Sequence, residues 1–464
     1  MVERSNKRYI LRSAVVLLLA FSCLGLYVVY LQVWDADWLE EHPLNRRAAA
    51  AEESILRGTI FDVKGEKLAF SPEIGKRIYP YGAVTAPITG YLDEKIGSTG
   101  IEAYKGAELT GHSRVFGRFG PVAQLFPSDR GDDVYLTIDA GLQKTAYEAL
   151  GERRGAVVVL DAQSGAVLAL VSRPSFDPAD IPSEWDVLRT DEASPLLNRA
   201  VQGLYPPGST IKPLILDAAL KNQSTSLNEI FDCTGALEVG DTRIHESHGA
   251  VHGKINVEQA LIESCNVTFG TLALRLGGKN LQEAFERFGF FRTAEGDMAE
   301  TASHLPDFAS LGEGDMAQIG IGQSTLLVTP LHMALLAAAF ANEGVVMKPY
   351  MIERIVTPGG VTIDRKHEEK WFEATTSKRA ALIDGFMEEV VKKGTGTSAE
   401  VAGVRVTGKT GTAENTGKDH AWFIGSAEVH GRKAAFAIIV ENSGGGGSEA
   451  APIARRLIAR LQEE

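Results

Sequence analysis

Three short motifs in the 464-residue chain carry side chains that could do chemistry together. Ser209 and Lys212, in PPGSTIKP, stand three positions apart, so one helical turn puts hydroxyl and amine on the same face. A serine hydroxyl is a weak nucleophile until its proton is taken, and a lysine amine can take it only when neutral. The reference lysine pKa is about 10.4, so burial or a neighbouring cation must lower it. Pro206, Pro207 and Gly208 give a stiff entry that places Ser209 at a helix N-terminus, where aligned amides favour developing negative charge. Ser264 and Asn266, just past NVEQALIE, offer a hydroxyl and an amide that can line one side of a cleft. Lys409, Thr410, Gly411 and Thr412 close the stretch GVRVTGKTGT, presenting a cation, two hydroxyls and backbone left open by a glycine.

That last stretch also matches the pattern G-x-x-x-x-G-K-T of phosphate-binding loops. Such a loop turns through glycine-rich backbone and opens directly into a helix whose amides face the anion. Here Val404, Arg405, Val406 and Thr407 alternate and are rich in β-branching, which predicts a strand, and residues 410–417 make a poor helix start. Lys409 is expected on a strand or at its end, and the compartment assigned next has no ATP pool.

Residues 14–34 carry no charge, about the length a helix needs to cross a bilayer core. Arg4, Lys7, Arg8 and Arg12 precede them, and Asp35, Asp37, Glu40 and Glu41 follow. The positive-inside rule then places residues 1–13 in the cytoplasm and the rest outside the cell membrane, behind a single transmembrane helix. A cleaved signal peptide would have a shorter apolar run and small residues at its end, which VYLQVWDAD does not offer. The formal charge of −13 argues against nucleic acid as a partner. Cys233 and Cys265 fall in an oxidising compartment, where they could pair or stay free.

Stepping outward to the elements that must position these groups, residues 35–130 are short-stranded and turn-rich, a pedestal whose clearest piece is a hairpin in RGTIFDVKGEKLA around Lys64-Gly65. YPYGAVTAPITGYLDE has too many turn residues for a substantial core of its own. From residue 131 the pattern changes. DVYLTIDAGLQKTAYEALG reads as a strand, an N-cap at Asp139 and an amphipathic helix, and GAVVVLDAQSGAVLALVS as two strands around a turn. Helices dominate the middle, strands return in GVRVTGKTG, HAWFIGSAEV and RKAAFAIIVEN, and a last helix follows the glycines at 444–447, read as flexible. Strands at both ends with helices between predict an α+β fold, an antiparallel sheet flanked by helices over residues 131–464.

The order S-x-x-K, S-x-N, K-T-G is the serine acyl-transfer set of penicillin-binding proteins and β-lactamases. With NRAVQGLYPPGSTIKP, IGIGQSTLLVTPLHMALLAAAFANEG, GKTGTAE, HAWFIG and RGTIFDVKGEKLA, the chain resembles a class B penicillin-binding protein, a membrane-anchored peptidoglycan D,D-transpeptidase, over most of its length after the anchor. The resemblance implies Ser209 as nucleophile on the D-Ala–D-Ala carbonyl of a stem peptide and Lys212 as general base. It implies Ser264 as proton relay to the departing D-Ala and Asn266 as partner of the substrate amide. Lys409 and Thr410 would favour the terminal carboxylate, Gly411 would allow close approach, and the amides of Ser209 and Thr412 would form the oxyanion hole. β-Lactams would trap Ser209 covalently, with no metal or organic cofactor. No glycosyltransferase or C-terminal repeat module is recognisable, which implies a separate membrane glycan polymerase as partner.

Other features are weighed against plainer readings. His245, His248 and His252 suggest a metal site, but Gly249 and Gly253 interrupt any helical register. Asp419 and His420 invite a Ser-His-Asp triad, yet adjacent residues cannot easily line up in series behind one serine, and a loop histidine is expected. LLVTPLHMALLAAAF is expected to be a core helix. Rival functions are a D,D-carboxypeptidase or β-lactamase, which pass the acyl group to water, and a non-enzymatic β-lactam sensor, which needs a larger cytoplasmic part.

Overall fold

The computed structural model describes residues 2–33, 55–111, 129–294 and 297–463, with side chains of the first segment from 11 to 31. The expected acidic flank of the span and parts of the pedestal, at 34–54 and 112–128, lie outside the described residues. Helix Val2–Val33 contains the apolar window Leu11–Leu31, none of it buried against the rest of the chain. Among the described residues it is the one helix long and apolar enough to cross a membrane.

The central sheet is antiparallel and has the order Arg405–Ala413, His420–Val429, Arg432–Val440, Gly155–Asp161, Val167–Arg173. The first two strands in sequence thus close on the last three, with Ile438 opposite Val157. Both faces are covered, which is why GAVVVLD and AAFAIIV read as nearly continuous apolar runs. Helix Pro330–Ala341, apolar apart from His332 and buried at all its residues, packs on one face, as a core helix must. Helices Ala140–Leu150 and Ala451–Gln462 cover the other. The expected cap is present: the Asp139 carboxylate accepts the Leu142 amide at 2.8 Å.

A second sheet runs Thr362–Arg365, Ile352–Val356, Asp133–Leu136, Ile60–Phe61, Lys67–Glu73, Lys76–Ile78. It includes the expected hairpin, whose turn is tied by the Asp62 carboxylate accepting the amides of Lys64 and Glu66 at 2.8 and 2.7 Å, with Gly65 at φ +87°. Ile60, Leu68, Ile88 and Ile101 join the same apolar cluster as the helices around the central sheet, while Ala86 and Tyr91 pack with Phe176 and Ile181, so among the described residues both clusters are shared with segments beyond residue 130. Glu102 is fully buried between Arg57 and Arg77 at 2.7 and 2.6 Å. Burial alone would raise its carboxyl pKa, but Arg77 and Arg57 outweigh it and hold it low.

Candidate active site

One wall of the site is helical. Gly208–Ile211 is a single 3-10 turn running into helix Lys212–Lys221, so Ser209 stands at the head of a helical segment as expected. Gly208, at φ +55°, is forced: a Cβ there would lie 2.6 Å from the Thr412 carbonyl oxygen. Lys212 is fully buried, and its Nζ donates to the Ser264 carbonyl at 2.5 Å, the Asn266 Oδ1 at 2.7 Å and the Ser264 Oγ at 3.2 Å. Burial lowers its pKa to about 8, against an opposing pull from the Glu246 carboxylate. Among the described residues no hydrogen bond engages the Ser209 hydroxyl. The Lys212 amine is thus held within the second motif, by Ser264 and Asn266.

Ser264 occupies the tight link between helices Val257–Ile262 and Asn266–Arg287, at φ +60°, a conformation side chains rarely adopt. What holds it there was invisible in the motif. The Glu246 carboxylate, from a distant β-hairpin, accepts the amides of Asn266 at 2.9 Å and Val267 at 2.8 Å, capping the helix that follows Ser264. Asn266 Nδ2 donates to the His245 carbonyl at 2.8 Å, which turns its Oδ1 toward Lys212. Burial works to raise the Glu246 pKa, yet the Val267 and Asn266 amides keep it below the usual carboxylate value.

The other wall is the strand Arg405–Ala413, which answers the phosphate-loop pattern: Lys409 sits in mid-strand opposite Ile424, not at a helix entrance. It is fully buried, and Nζ donates to Ser264 Oγ at 2.8 Å and to the Thr410 carbonyl at 2.9 Å. Burial, and then the Lys212 charge, push its pKa well below the ordinary lysine value. Gly411 fits as expected, because a Cβ would come 2.8 Å from Thr210 Cγ2 and 3.0 Å from the Pro207 carbonyl oxygen. The strand therefore lies directly on the Gly208–Ile211 turn. The Thr412 backbone lies beside Gly208. All eight expected residues are gathered here. A cavity of about 480 Å³ lined by Lys64, Asp139, Leu142 and Arg432 lies elsewhere and includes none of them.

The surroundings correct several expectations. Of the glycines at 444–447, the last two are packed rather than loose: Gly446 is buried, with its Cβ position 2.1 Å from the Trp422 carbonyl oxygen and 2.5 Å from that of Gly411, and that of Gly447 is 2.6 Å from the Thr395 carbonyl oxygen. Glycine at these two positions means close packing against the strand Arg405–Ala413 and its neighbours. His420 is not in a loop but begins strand His420–Val429, buried against the Tyr205 ring and bonded to Asn415 and the Asn442 amide. Glu441, which no sequence motif marks, accepts hydrogen bonds from Arg199 and Tyr205 at 2.8 and 2.7 Å and ties the segment before Ser209 to the sheet. Cys233 and Cys265 are both free, each with its sulfur toward Glu246. With His252 they place four ligand atoms within 4.8 Å of one another. These side chains converge from strand, turn and helix cap, an arrangement that helical register does not describe. His245 and His248 stand outside the group.

Comparison with known proteins agrees with this geometry. Residues 155–459 match the family model described as penicillin binding protein transpeptidase domain, and residues 57–119 that of the penicillin binding protein A dimerisation domain. The chain is 34% identical to peptidoglycan D,D-transpeptidase PbpA of Mycolicibacterium smegmatis over 93% of its own length and 94% of the relative's. It is 30% identical to peptidoglycan D,D-transpeptidase MrdA of Acinetobacter baumannii, over 81% of this chain and 64% of that one. Among solved structures, the ceftriaxone acyl-enzyme complex of penicillin-binding protein A from M. tuberculosis superposes with a TM-score of 0.82 at 30% identity, covering 88% of this chain and 99% of that one. Motifs, fold and relatives converge, and the chain belongs to the penicillin-binding protein transpeptidase family.

Proposed function

We propose that this chain is a membrane-anchored peptidoglycan D,D-transpeptidase that crosslinks stem peptides through a Ser209 acyl-enzyme and is acylated there by β-lactams. The observation that carries the reading is the shared hydroxyl: Ser264 Oγ takes hydrogen bonds from both Lys212 and Lys409, at 3.2 and 2.8 Å. A proton arriving on that network from Ser209 has a path toward a departing amine. In the reaction Lys212 accepts the Ser209 proton as Oγ attacks the D-Ala–D-Ala carbonyl, and the C–N bond breaks as Ser264 passes a proton to the leaving D-Ala. Asn266 holds the substrate amide and Lys409 and Thr410 its carboxylate. The Ser209 and Thr412 amides stabilise the oxyanion, worth about 3–4 kcal/mol per donor. The amine of a second stem peptide then displaces Ser209.

The reading extends to the rest of the molecule. Residues 1–13 are cytoplasmic, 14–34 span the cell membrane, 35–130 form the pedestal and 131–464 the transpeptidase domain outside the cell. A separate membrane polymerase supplies the glycan. The test is intact mass after incubation with labelled penicillin. A long-lived adduct on the wild type, absent from Ser209→Ala, is expected; an adduct persisting in the variant means the nucleophile is misassigned. Rapid drug turnover would favour a β-lactamase instead, and release of D-Ala without crosslinked product a carboxypeptidase.

A further inference from the structure

Thr395 follows helix Ser377–Lys393, in a loop whose Gly394 and Gly396 amides both donate to the Val390 carbonyl, at 3.1 and 3.0 Å. Neither S-x-x-K, S-x-N nor K-T-G contains it. Its Oγ1 nevertheless lies 2.5 Å from Oγ1 of Thr410, on the strand that carries Lys409. The glycines at 446 and 447 enforce the approach. A Cβ on Gly447 would meet the Thr395 carbonyl oxygen at 2.6 Å, and one on Gly446 the Gly411 carbonyl oxygen at 2.5 Å.

A hydroxyl has one proton to give and two lone pairs. In the free protein either threonine can be the donor of this pair. A carboxylate accepts only, so if one lodges on Thr410, the Thr410 proton must point to it. The short contact then survives only if Thr395 donates inward. Donation into a hydroxyl makes its own proton a better donor, since hydrogen bonds in a chain polarise one another.

We infer that Thr395 is a positioning residue that fixes the direction of the Thr410 proton and so tunes the site for donors ending in a free carboxylate over neutral analogues. The inference rests on Thr410 meeting the substrate carboxylate. Thr395 itself sits at the exposed rim, where a substitution leaves the buried core untouched.

The test uses the full chain in detergent and compares acylation efficiency with penicillin G and with its methyl ester, whose carboxylate is masked. Thr395→Val keeps the shape and removes the hydroxyl. It should lower the acid-over-ester preference by about five- to tenfold, the usual worth of one hydrogen bond. Thr395→Ser should restore it. Thr395→Ala serves as the replacement if the valine variant does not fold. Equal loss on both ligands, or no loss, overturns the inference while Thr410→Val still narrows the preference. If Thr410→Val leaves the preference unchanged, the carboxylate reading is itself wrong and the inference falls with it.

Discussion

The helical wall of the cleft holds its working groups by charge and hydrogen bonding, whereas the strand wall holds them by the closeness of backbone to backbone. On the first, Lys212 has three acceptors around one amine and a carboxylate behind them, and Ser264 is kept at φ +60° by the Glu246 cap. On the second, the groups around Lys409 are placed because Gly208, Gly411 and Gly446 have no side chains. The lesson is that one wall fails when a polar partner is lost and the other when volume is added. The two lysines show the same division. Burial lowers both; for Lys212 the Glu246 carboxylate opposes it and the value falls only to about 8, while for Lys409 the Lys212 charge adds to it and the value is driven well below the ordinary one.

The largest effect should come from Lys212→Met, which keeps the packing and removes the base. Stopped-flow acylation by penicillin G should slow by about 10²–10⁴-fold, the range for general base catalysis. A loss under tenfold would mean another group takes the Ser209 proton. Volume is tested on the strand wall by two neighbouring glycines. Gly446→Ala drives a methyl group into the Trp422 and Gly411 carbonyls and should cost about 1–3 kcal/mol in thermal or denaturant unfolding, with acylation reduced. Gly445→Ala meets nothing nearer than Ser448 Oγ at 3.6 Å and should stay within about 0.5 kcal/mol. Equal tolerance at both would refute the packing account.

Protonation separates the two lysines more finely. Lys212 works as a base only when neutral, so acylation should rise with pH along a limb centred near 8 and fall about tenfold per unit below it. A flat profile between pH 6 and 9 would exclude that role. Lys409 behaves in the opposite sense. Its depressed value in the free site should recover when a carboxylate arrives, so binding takes up protons. Calorimetry of Ser209→Ala with penicillin G, in buffers of different ionisation enthalpy, should register uptake of up to one proton. Proton release would show that the carboxylate lodges elsewhere.

The core of this picture was legible in the chain. Alternation in GVRVTGK placed Lys409 on a strand, the mostly apolar run at 330–341 a buried helix, and Asp139 the cap of helix Ala140–Leu150, because each depends on local pattern. The supports were not legible. Glu246, Thr395, Glu441 and the glycines at 446 and 447 act on residues far along the chain, and no spacing rule reaches that far. The glycine run shows the difficulty best, since the same four letters describe a loose linker or a surface pressed against a strand. The cluster of Cys233, Glu246, His252 and Cys265 is a further case, since helical register says nothing of side chains gathered from three elements.

What the sequence determined alone is the set of reactive groups, their order and the kind of element bearing each, since composition and short-range pattern decide whether a segment is apolar helix, strand or turn. Tertiary structure decided that Lys212 and Lys409 meet over one hydroxyl, and how readily each gives up its proton. The physical reason is that burial and charge proximity are properties of three-dimensional surroundings, and only the closed sheet brings residues 145 positions apart within hydrogen-bonding distance.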